Sequence, residues 1–113
     1  MEVQNKVKSL SQKEFYQMYI LRSLITDTRS TREIFEQFQK DFPHKPHSRA
    51  HFYSAARLLK SNRETEVVFS EGRKEYFLIT AKGKLLYEWY INTYHSKFEK
   101  LKIVADHFVY EVT

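Results

Sequence analysis

The sequence predicts a mainly α fold carrying one small β-hairpin, and three observations lead there. Short polar stretches with helix-capping chemistry precede runs of apolar residues at helical spacing. After Ser61-Asn62 the period turns from helical to strand-like, over two Val/Phe/Tyr/Ile-rich segments joined by a glycine-containing turn. Two glycines and two prolines leave room for few elaborate loops. Three helices, a hairpin and a long last helix are the layout of a winged helix-turn-helix with a C-terminal extension.

Residues 1–10 are polar, with Lys6 and Lys8, and read as a flexible arm. Ser11-Gln12-Lys13-Glu14 matches a capping box, in which Ser and Glu satisfy each other's orphan amides. The first helix follows to about Ile25, with Phe15, Met18, Leu21 and Ile25 as its main buried stripe. Tyr16, Ile20 and Leu24 add a second stripe, which makes this helix central. Ser30-Thr31-Arg32-Glu33 is another capping box, and Ile34, Phe35, Phe38 and Phe42 share one arc of the helix it opens. Pro43-His44-Lys45-Pro46 ends that helix, because proline disfavours helical backbone in the residue before it. Ser48 caps the third.

Strands are expected at Glu64–Phe69 and Glu75–Ile79, joined by Ser70-Glu71-Gly72-Arg73-Lys74. Thr80 caps a last helix running from about Ala81 to Phe108. There Tyr87, Ile91, Tyr94, Phe98, Leu101, Ala105 and Phe108 alternate steps of four and three, an unbroken heptad seam with charges between its members. A core of this size can shelter the first turns, where Leu85, Leu86 and Trp89 add a second apolar face, but not a helix of about 40 Å. The seam therefore predicts a coiled-coil homodimer. The division is 1–10 arm, 11–80 winged domain and 81–113 dimerisation helix.

The third helix carries the functional signal. Phe52, Ala55, Ala56 and Leu59 form its core stripe, and Arg49, Tyr53, Arg57 and Lys60 are assigned to the opposite side, with Ala50 and Ser54 at its edge. No acidic residue lies between Ser48 and Lys60, whereas an ordinary solvated face would carry glutamates too. Arginine bonds guanine edges bidentately, tyrosine and serine reach bases or phosphates, and small residues allow close approach to a major groove. The candidate DNA-binding residues are Ser48, Arg49, His51, Tyr53, Ser54, Arg57 and Lys60 on the helix, with Arg73 and Lys74 at the hairpin tip.

Composition agrees with that partner and removes others. The net charge of +5 and the pI of 9.4 favour a polyanion. Hydrophobic content of 42% with a mean hydropathy of −0.62 fits a soluble globular chain, and 16% aromatics predict a ring-rich core. The absence of cysteine excludes disulfides and thiolate metal sites and fits a cytoplasmic location. No apolar run approaches the ~18 residues of a membrane span. No glycine-rich phosphate loop, nucleophile with a base or apolar carboxylate pair is present, so no enzyme is predicted. His44, His47 and His51 form an H-x2-H-x3-H cluster, and histidines beside DNA phosphates are the better reading than a metal site. No metal or cofactor is expected. A small-molecule inducer against Trp89 and Tyr90 stays open, although core and dimer packing explains the same rings.

The stretch Ser48–Lys60 resembles the recognition helix of PadR-type transcriptional regulators, with Ser48, Phe52, Tyr53, Ala55 and Leu59 in register. Gly72–Leu86 is similar to that family's wing and strand-to-helix passage, including its aromatic pair and its Leu-x-Thr-x-x-Gly at Leu78–Gly83. The resemblance spans roughly Ser11 to Leu86. It implies a dimeric winged-helix repressor whose Tyr53 and neighbours touch double-stranded DNA at a pseudo-palindromic operator, with the wing on the phosphate backbone. Ser61-Asn62-Arg63-Glu64 departs from the glycine turn that often follows the recognition helix in that family, and the extension is one helix rather than a larger domain. The layout also resembles bacterial replication terminator proteins. Replication termination or plasmid partition is thus an alternative role, and a winged-helix protein–protein adaptor is another.

Overall fold

A computed structural model describes residues 11–43 and 47–100, the side chains of 95–100 excepted. Its elements are α1 (Gln12–Ser23), β1 (Arg29–Ser30), α2 (Thr31–Asp41), α3 (Arg49–Ser61), β2 (Thr65–Glu71), β3 (Lys74–Ile79) and α4 (Ala81–Lys100). The expected arm at 1–10, His44 and the seam residues Leu101, Ala105 and Phe108 lie outside the described residues.

Both capping boxes form. Ser11 Oγ accepts from the Glu14 amide while Glu14 accepts from the Ser11 amide, and Ser30 and Glu33 repeat the exchange. α1 is the central helix: Tyr16, Gln17, Met18, Tyr19, Ile20 and Leu21 are all buried, as a helix packed on several sides requires. It stops two residues short of expectation, and Ile25, placed in the core by its spacing, is 44% exposed. The periodicity ran past the point where the chain turns toward β1.

α2 packs Ile34, Phe35 and Phe38 inward and ends at Phe42, whose φ of −130° and ψ of 66° leave the helix just before Pro43. Phe38, fully buried, meets Phe15, Tyr16 and Tyr19 edge-on at centroid distances of 5.8, 5.3 and 4.8 Å. Tyr19 Oη donates to Asp41 at 2.5 Å, and burial together with that carboxylate pushes its phenol well above the ordinary range.

The sheet is three-stranded with order β1-β3-β2, all antiparallel. β1 pairs Arg29 with Phe77 and Ser30 with Tyr76; two residues carry no periodicity, and the sequence pattern does not anticipate this strand. The hairpin closes on Gly72-Arg73 between the pair Glu71–Lys74. Gly72 alone of the two has a positive φ, 63°, the pattern of a type II′ turn with glycine first. Between Val67 and Phe69 the register slips by one residue at Val68, a bulge that bends β2.

At the end of α3 the Arg63 amide bonds Lys60 O and the Glu64 amide bonds Leu59 O, a Schellman closure with Arg63 at φ 63°. The carbonyls that follow are taken by the start of α4. Lys82 Nζ donates to Asn62 O at 2.7 Å, Thr80 Oγ1 to Arg63 O at 2.8 Å and the Thr80 amide to Glu64 O at 3.1 Å. Thr80 Oγ1 also accepts from the Gly83 amide, the cap its position predicted. Beyond it Tyr87, Tyr90 and Tyr94 are buried, so the first half of α4 completes the same core.

Candidate nucleic-acid interface

Pairing of β1 with β3 sets the start of α2 beside the surface that α3 and the hairpin share. A groove of about 470 Å³ runs between α3, the start of α2 and the wing. Its walls hold Arg57 and Lys60 from α3, Arg73 and Lys74 from the hairpin and Arg32 from α2, with Tyr53, Ala56 and Phe77 as its apolar lining. Five cations face one concave surface against a single lining carboxylate, Glu75. Such a surface concentrates positive potential and attracts a polyanion.

Three of the five already hold carboxylates, Arg32 among them with its Nε 3.2 Å from Glu36. Lys60 Nζ lies 3.2 Å from Glu75, and Lys74 Nζ lies 3.7 Å from Glu33, both pairs near half exposed. Exposed pairs of this kind are worth little and exchange readily for a phosphate. The Lys74 ammonium is held above its ordinary pKa, by Tyr76 first and then by Glu33 and Glu71. Its nitrogen sits 5.2 Å from the Tyr76 ring centroid. Arg57 and Arg73 are exposed and have no ion pair among the described residues.

The stripe Arg49-Tyr53-Arg57-Lys60 is not opposite the core, and this corrects the sequence assignment. At 100° per residue its centre lies about 100° from that of the Phe52-Ala55-Ala56-Leu59 stripe, on its flank. Tyr53 is therefore half-buried, its ring 6.2 Å from that of Phe35. The Arg49 guanidinium stands 5.0 Å over the Phe35 ring and 5.6 Å over Tyr53, and its Nη1 donates to Tyr53 Oη at 3.2 Å. The platform limits the rotamers of Arg49 and presents a cation at a helix N-terminus, where the helix dipole opposes it and a phosphate would favour it.

Ser48 spends its hydroxyl on the cap, accepting from the His51 amide at 3.1 Å. His51 is exposed and Ser54 half-exposed, and with Ser48 and Arg49 they stand outside the groove lining. His47 turns inward instead, its Nε2 2.8 Å from Phe42 O and its ring 4.4 Å from that of Phe38. The sequence pattern does not single out Arg32 and Phe35 as part of this surface. Their helix is foreseen, but nothing in its spacing shows that its start faces the wing.

On α4, Tyr87 and Tyr94 are each 4% exposed and Ile91 packs against the core, so the upper members of the heptad seam are occupied within the protomer. Among the described side chains of α4, the large apolar ones left open are Leu85 and Trp89, 67% and 54% exposed, one turn apart. Phe98 lies on the described helix, its side chain outside the described set. No helix among the described residues is long and apolar enough to cross a membrane.

No family model matches the chain, and no curated protein matches it. Its fold is similar to solved structures. A PadR family transcription regulator from Clostridium difficile R20291 is 17% identical, with 84% of this chain and 98% of that one covered and a TM-score of 0.60. A transcriptional regulator from Clostridium thermocellum is 23% identical, over 89% and 99% of the two chains, with a TM-score of 0.63. The circadian clock associated protein Pex from Anabaena is 21% identical over 77% and 80%, with a TM-score of 0.58. The chain has the winged-helix fold of PadR-type regulators.

Proposed function

We propose that the chain is a homodimeric, sequence-specific double-stranded DNA-binding protein acting as a transcriptional repressor. The observation that carries the reading is the groove in which Arg32, Arg57, Lys60, Arg73 and Lys74 converge from three separate elements. A solvated helix would carry such charge on one element; convergence across α2, α3 and the wing follows a curved, continuous anion such as a phosphate backbone. Arg49, Tyr53 and Arg57 reach base edges while Lys60, Arg73 and Lys74 hold phosphates. The transcription regulators of the same fold support the role. Residues 11–80 carry the DNA surface. The last helix, in its exposed part, joins two copies, so that two recognition helices meet half-sites about one helical turn apart.

Selecting bound sequences from a random duplex pool tests the reading. The expected result is one pseudo-palindromic motif, bound with a strong inverse dependence on salt. Neutralising Arg73 and Lys74 together should flatten the log-log salt slope by about one unit for each phosphate that is no longer neutralised, at equal cost on every sequence. A pool that returns no motif, or affinity indifferent to salt, would defeat the proposal.

A further inference from the structure

Gln17 is the polar exception in the buried run of α1, 6% exposed between Tyr16 and Met18. Its amide is strung between two other helices. Nε2 donates to the main-chain carbonyl of Ala55 on α3 at 3.3 Å, and Oε1 accepts from Tyr90 Oη on α4 at 3.1 Å. The chemistry permits one orientation: a carbonyl only accepts, so the NH2 group must face Ala55, and the oxygen then left toward Tyr90 requires a hydroxyl donor. A methionine would fill the same volume without asking for either bond. A buried amide satisfied at both ends is a directional link, not a space filler.

Ala55 lies between Tyr53 and Arg57, which α3 turns toward the groove together with Ala56. Its side chain is a single methyl, so the packing that holds this face of α3 comes from Phe52 and Leu59 on the turns to either side, both fully buried, and the bond to its carbonyl is the directional contact between them. The far end of α3 is already clasped by Thr80 and Lys82. The bond at Ala55 adds a directional hold on the middle of α3 beside the packing of Phe52 and Leu59.

We infer that Gln17 is a positioning residue, which ties the rotation of α3 to the placement of α4 through the relay Tyr90–Gln17–Ala55. Tyr90 holds the amide oxygen, the amide nitrogen holds the Ala55 carbonyl, and Tyr53 and Arg57 take their positions over the groove from it. A shift of α4 that withdraws Tyr90 frees the amide to turn and releases the middle of α3. The inference rests on the reading of the groove as a DNA surface.

The test compares Tyr90→Phe and Gln17→Met in the full chain with the wild type. Tyr90→Phe keeps the ring and removes only the hydroxyl, so it remains informative if Gln17→Met folds poorly. Two readouts are taken: the carbonyl ¹³C shift of Ala55, and the ratio of affinities for the selected motif and for random duplex. Both variants should move the Ala55 carbonyl shift in the same direction. Both should lower the affinity ratio by about two- to tenfold, the factor carried by one net hydrogen bond, and the double variant should lose no more than Gln17→Met. An Ala55 shift untouched by Tyr90→Phe overturns the relay. A moved shift with an unchanged affinity ratio overturns the positioning role. Wild-type protein without selective DNA binding would defeat the DNA reading instead, and the carbonyl shift would still decide whether the relay exists.

Discussion

Two buried tyrosines on neighbouring turns of α1 face opposite fates for their hydroxyls. Tyr16 Oη is buried with no hydrogen-bond partner among the described residues, whereas Tyr19 Oη donates to Asp41. An unmet buried hydroxyl costs about 1–3 kcal/mol and a met one contributes about 1 kcal/mol. Tyr16→Phe should therefore raise the urea midpoint of unfolding and Tyr19→Phe should lower it; the same sign for both would contradict the hydrogen-bond assignment. Arg63 supplies a second contrast. It holds a left-handed φ of 63° that glycine adopts freely. Arg63→Gly should stabilise the fold by roughly 0.5–1 kcal/mol, measured by denaturant titration. A loss of stability would mean the arginine side chain makes contacts worth more than the strain. Gly83 reverses the case. A Cβ there would lie 2.1 Å from Glu64 O and 2.8 Å from Ile79 Cγ1. Gly83→Ala should cost on the order of 2 kcal/mol despite alanine's better helix propensity, because backbone and not a flexible side chain blocks the space.

At the scale of elements, much was legible because capping and periodicity are local. Ser11, Ser30 and Ser48 mark helix starts, and the change of period after Asn62 marks the hairpin. What was not legible depends on partners distant in sequence. β1 exists only because Arg29 and Ser30 meet Phe77 and Tyr76, and Arg32 joins the groove only because of that pairing. The spacing of Tyr87, Ile91 and Tyr94 fits a heptad seam and a domain core equally well, since both ask for apolar residues every three or four positions. The docking of α4 has its own signature in pH. Burial pushes both Tyr87 and Tyr90 up to about 12, while a free phenol titrates near about 10. Between those values the unfolded chain gives up protons that the folded chain retains. Their contribution is thus complete below pH about 10 and is lost as the pH climbs toward about 12. Phenolate absorbance followed beside circular dichroism checks this: these two rings should ionise only as helicity falls. Full ionisation near pH 10 with native helicity would place them in water.

For the molecule as a whole, the proposed function requires that one small winged domain obtain a usable grip on DNA. One protomer offers a single recognition helix, and joining two half-sites multiplies affinity without any new bond to the bases. Leu85 and Trp89 are exposed on α4, and Phe98 and Leu101 continue the heptad pattern along the sequence past the part absorbed by the core. In the proposed dimer, burying one large side chain of that seam would contribute on the order of 2–3 kcal/mol in each protomer. A carboxylate placed there must be desolvated beside its symmetry mate, so Leu101→Asp should be far worse than truncation to Ala. The variant should sediment as a monomer while the circular dichroism and melting of residues 11–94 stay native, because Tyr87, Tyr90 and Tyr94 belong to the core of a single protomer. Binding to the selected motif should collapse, leaving the weak, salt-sensitive affinity of one half-site. A Leu101→Asp protein that remains dimeric would move the interface elsewhere, with the Leu85–Trp89 face as the next surface to charge. A monomer that binds at full affinity would refute two-half-site recognition itself.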